Sequence, residues 1–135
     1  MPTVVDFARQ AGLTASTVTW PVMCASGAEY NIGEIWAPRE EDDPTPWFTR
    51  PTACGGEDFE ANKHMLRWMK TPQMDEFAAK CAADIIRAHR PDLMLLHLSY
   101  VDHQRHRLGV HGDLEHAFRF IDGQMGLVLD ALEET

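Results

Sequence analysis

The sequence predicts an α/β fold, part of a parallel sheet with helical crossovers. Three observations predict it. The run Leu93 to Leu98, behind Pro91-Asp92, is apolar without alternation, as in a buried strand. The Thr- and Val-rich segment Leu13 to Trp20 reads as a second strand. Segments of helical periodicity precede, separate and follow these two runs, the alternation of a sheet with crossovers.

Pro2 to Ala11 reads as a helix. Thr3 is the cap, Val4, Phe7, Ala8 and Ala11 recur at helical spacing, and Gly12 suits the stop. Pro21 ends the strand that follows. A helix opening at residue 2 leaves the strand before it unaccounted for, so the chain reads as starting inside an α/β pattern. Val22 to Cys54 has no clear period. It holds Pro38, Pro44, Pro46 and Pro51 and the acidic run Glu40 to Asp43, and it reads as a loop or insert over about residues 22–56. The acidic run reads as solvated surface. Trp36, Trp47 and Phe48 either pin this loop to the core or stack on a base, and both readings stand.

Glu57 to Met69 is helical by spacing. Thr71-Pro72 is a helix entry, and Met74, Phe77, Ala78, Cys81, Ala82, Ile85 and Ile86 form an apolar stripe to about His89. After the strand at Leu93, Asp102 to Gly109 reads as a turn. Asp113 caps a last helix to about Glu133, with Leu114, Ala117, Phe118, Ile121, Met125, Val128 and Leu132 on its buried face. Only two strands are evident, and two parallel strands do not make a covered sheet. Residues 1–135 therefore read as a single partial domain.

The 135 residues suffice for one core, and 44% hydrophobic residues mark a globular chain. A net charge of −9 gives no general attraction for a nucleic-acid polymer or an anionic membrane. Cys24, Cys54 and Cys81 are odd in number and widely spaced, which argues for packed thiols rather than a disulfide framework. The first residues carry no signal-peptide pattern and no run spans a bilayer, so the chain is expected in the cytoplasm if it is complete as written.

The chemistry gathers where the second apolar run stops. Asp102 and His106 are four apart, so one helical turn puts a carboxylate and an imidazole on one side. Together they form half of a zinc site, which needs a third protein ligand and an open position. Taken alone, the pair reads first as a helix cap beside a surface His, ahead of the metal half-site. Tyr100 lines a pocket or packs; His103 and Arg105 face solvent or a substrate phosphate. His97, inside the apolar run, reads as a hydrogen-bonded core His, and His111 and His116 as exposed.

The strand behind Pro91-Asp92, then Asp102-x-x-x-His106-x-x-Gly109, then a helix with Ile121-Asp122 at its middle, resembles the alkaline phosphatase superfamily. The matching branch is the type I phosphodiesterase/nucleotide pyrophosphatase family. Gly12-Leu13-Thr14 through Trp20-Pro21 is similar to that family's helix-to-strand segment. Arg105 and Val110 depart from the family's common Gly and Pro. The resemblance implies an incomplete alkaline-phosphatase-like fold and a two-metal site, usually zinc, acting on phosphate esters or nucleotides. It makes Asp102 and His106 ligands of one metal. It also implies a Thr or Ser nucleophile with an Asp ligand upstream of Trp20-Pro21, and an Asp-His pair and a last His beyond the final helix. None of these is found on this chain, so the expectation is an internal fragment, inactive alone, with no catalytic nucleophile. The alternative is a non-catalytic fragment that binds a divalent metal or a partner, self-associating through its incomplete sheet.

Overall fold

A computed structural model of the chain describes residues 1–21, 26–33, 56–65 and 72–135. The first helix, α1, spans Val4–Gln10. Its capping box is complete: the Thr3 hydroxyl accepts the Asp6 N–H at 3.3 Å, and the Asp6 carboxylate accepts the Thr3 N–H at 2.7 Å. Gly12, at φ 76°, turns the chain out of the helix. The first strand, β1, covers Ala15–Val18 and all four of its residues are buried.

A second strand, β2, spans Tyr30–Ile32, inside the stretch expected to be irregular. It pairs parallel with β1, Ser16 opposite Tyr30 and Val18 opposite Ile32. This corrects the count of two strands: three residues are too few for a period to show in sequence. Helix α2, Gly56–Asn62, runs into a 3₁₀ turn at Lys63–Met65. The rest of the helix expected to Met69 lies outside the described residues, as do Thr71, the acidic run, Trp36, Trp47 and Phe48.

Helix α3, Gln73–His89, follows Pro72 and ends on Arg90 in the left-handed conformation, φ 49°. It is the spine of the core. Phe77, Ala78, Cys81, Ala82 and Ile85 are fully buried along it, and Phe77 meets Phe59 edge-to-face at 5.9 Å. Strand β3, Leu93–Leu96, pairs parallel with β1, Ala15 opposite Leu93. The sheet order is β2-β1-β3, all parallel. This is the α/β architecture expected, an open parallel sheet with helices. β1 is central and buried on both faces, which is why its sequence does not alternate.

Helix α4 spans Tyr100–Leu108, where a turn was expected. Its periodicity was hidden because only Gln104 is fully buried on it, and a polar residue leaves no apolar stripe. Helix α5, Glu115–Glu133, starts two residues after Asp113, whose side chain accepts the Glu115 N–H at 2.8 Å. Its close-packed face is narrower than expected. Ala117, Val128 and Ala131 are buried, but Phe118, Met125 and Leu132 are 56%, 40% and 54% exposed. Val128 and Ala131 of α5 share the core cluster with the alanines of α3, while Met125 and Leu132 line a groove beside β3.

Candidate functional site

In a parallel sheet all carboxyl ends lie on one side, and three tie together here. Thr19 follows β1 with φ 51°, a strained setting for a β-branched residue. Its N–H donates to Ile32 O at 2.8 Å, and its one hydroxyl hydrogen is shared between His97 O at 2.6 Å and Val18 O at 2.8 Å. One residue thus binds the ends of β2 and β3 to β1. His97 donates its own N–H to Val18 O at 3.1 Å, which extends the β1–β3 ladder.

The chain then enters α4 at Ser99, whose side chain makes no cap. The cap comes from α3 instead. Asp75, 2% exposed, accepts the Ser99 N–H at 3.0 Å and hydroxyl at 3.2 Å on one oxygen, and the Tyr100 N–H at 2.8 Å on the other. A carboxylate suits the positive end of a helix. Neither Asp75 nor Thr19 stood out in the sequence. An acidic residue in a first turn reads as a dipole complement to its own helix, and nothing local points to Ser99 or His97.

Asp102 falls in the first turn of α4 and His106 one turn on. His106 Nε2 lies 3.5 Å from Asp102 Oδ2, and both side chains are largely exposed. Two ligands at zinc bond lengths of about 2.0–2.1 Å and a tetrahedral angle sit about 3.3 Å apart. The pair therefore fits two corners of such a shell. It is only half of one: among the described residues no group of three His, Cys, Asp or Glu could close around a metal.

The other candidates on α4 separate. Arg105 donates to Gly109 O at 3.2 Å and Val110 O at 2.6 Å, fastening the loop that follows the helix. Tyr100 packs its ring edge-to-face on His116 at 6.0 Å and Phe120 at 5.2 Å, both on α5. His103 is exposed beside Asp102. An apolar groove of about 810 Å³ lies away from the pair, between β3 and α5, with Trp20, Met94, Leu96 and Met125 in its walls. Among the described residues, no helix is long and apolar enough to cross a membrane.

The fold and this site define an α/β protein with polar, titratable groups past the carboxyl ends of its strands, where open parallel sheets place their chemistry. The family described as type I phosphodiesterase/nucleotide pyrophosphatase matches residues 1–135, and the chain belongs to it. The family comprises metal-dependent hydrolases of phosphate esters. No match was found among curated proteins or among solved structures.

Proposed function

We propose that Asp102 and His106 hold one divalent metal, zinc on the family resemblance, in a two-metal site that hydrolyses phosphate esters or nucleotides. The observation that carries this reading is their 3.5 Å separation on one helical turn, close to the chord of a tetrahedral shell. A metal held by Asp102 and His106 would be one of a pair supplying positive charge to the oxygens of the reacting phosphate. Asp102 offers a hard anionic oxygen that offsets cationic charge. His106 offers its Nε2 lone pair, which the ring has only when neutral. His103 is the exposed group on α4 left to face a substrate phosphate, since Arg105 is committed to loop carbonyls. The nucleophile and the remaining donors would come from outside the described residues, and residues 1–135 form one partial catalytic domain in this reading.

Calorimetric titration of zinc into the chain, and into an Asp102→Ala, His106→Ala double variant, tests it. Specific binding lost in the double variant is expected. Equal binding by both would sink the metal assignment. Among the described residues no strand lies beyond β3, which favours a second reading, a non-catalytic chain that recruits a partner strand. Specific oligomers at micromolar concentration, without metal binding, would select it.

A further inference from the structure

We infer that Asp75 is a positioning residue for the Asp102–His106 pair, acting through the first turn of α4; this rests on the metal reading above. Helix α4 has a narrow hold on the rest of the fold, since Gln104 is its one buried residue and the Tyr100 ring its aromatic contact with α5. Its start is set instead by the Asp75 carboxylate, which takes the Ser99 and Tyr100 amides on separate oxygens. Asp75 stands on the first turn of α3, the element whose Phe77, Ala78 and Ala79 are fully buried, so the anchor is rigid.

Asp102 is the third residue of α4, and the first turn is where an uncapped helix frays. A frayed turn releases Asp102 from helical backbone and breaks the four-residue spacing that sets the 3.5 Å approach to His106. A carboxylate that touches neither ligand thus decides whether they converge. The Asp75→Asn side chain keeps the size but turns one acceptor into an NH₂ donor, which faces a backbone N–H.

Cobalt(II), whose visible absorption reports its ligand geometry, serves as the probe, with far-UV circular dichroism establishing that each variant is folded. Asp75→Asn is expected to weaken cobalt binding roughly tenfold, a size typical of a lost cap. Its Ser99, Tyr100 and His103 amides, bonded to Asp75 or across the first turn, should exchange faster while those of Ile85 and Ile86 do not. Ser99→Ala removes one partner of the same carboxylate and should weaken binding about two- to threefold, with Ser99→Thr restoring it. Binding kept in folded Asp75→Asn but lost in Asp102→Ala overturns the positioning role alone. Binding untouched by Asp102→Ala sinks the metal reading and this inference together. If Asp75→Asn does not fold, Ser99→Ala decides: affinity equal to the parent chain overturns the inference.

Discussion

Thr14 and Asp92, 78 residues apart, hold each other through three hydrogen bonds. The Asp92 carboxylate accepts the Thr14 N–H and hydroxyl, each at 2.8 Å, and the Thr14 oxygen accepts the Asp92 N–H at 3.1 Å. The two residues stand just before β1 and β3, and Leu93 N–H donates to Thr14 O at 3.1 Å beside them. The clamp therefore aligns the entry of two parallel strands whose register has no hairpin to set it. Thr14→Val and Asp92→Ala should each lower the melting temperature by about a few degrees. The double variant should lose less than the sum, because the two groups serve one network. Strict additivity in thermal melts would show that the pair is not coupled.

The seam between α3 and α5 gives a second prediction. Ala131 is fully buried where α5 meets α3, with Ala78 and Ala82 in the same core cluster. Ala131→Leu should destabilise the chain by about 1–3 kcal/mol through overpacking. Leu132→Ala, at a 54% exposed position, should cost far less. Urea midpoints compare the two, and a reversed order would contradict the placement of α5.

Acid should weaken the fold. Four carboxyls sit below their ordinary values: Asp92 through the Thr14 N–H and hydroxyl, Asp6 through those of Thr3, Glu29 through the Ala15 N–H, and Glu134 through the Arg87 guanidinium. Each is harder to protonate folded than unfolded, so the unfolded chain binds more protons in acid. Their contribution is fully present above the unfolded values, 3.8 for Asp and 4.5 for Glu, and is lost as pH falls through the lower folded values. The melting temperature should hold down to about pH 5 and drop below about pH 4. A flat profile from about pH 5 to 3 would count against these bonds.

Activity is the fourth test. With only the Asp102–His106 pair in place among the described residues, the chain saturated with zinc should hydrolyse a chromogenic phosphate diester at the background rate. Turnover that survives purification and disappears in Asp102→Ala would overturn that expectation.

Much of the fold was legible because its signals are local. The cap at Thr3, the stripe along α3 and the unbroken apolar run at Leu93 each lie within a few turns of chain. The pairing of Asp102 with His106 was legible too, since their four-residue spacing brings them together over a single helical turn even where the length of the helix is not evident. β2 was not, because three residues acquire strand geometry only by hydrogen bonding to β1. Nor was α4, whose inward face holds Gln104 rather than an apolar stripe.

The sequence by itself determined the helices with caps and periodic faces, the apolar strands, the family pattern and the two candidate ligands. These depend on residues close in the chain, where backbone geometry converts spacing into position. The tertiary structure alone decided that Asp75 starts α4, that Thr19 binds three strand ends, and that Phe118, Met125 and Leu132 of α5 stay exposed rather than fill the core. These relationships join residues separated by many turns of chain, and which groups face each other there is chosen by how the helices pack on the sheet.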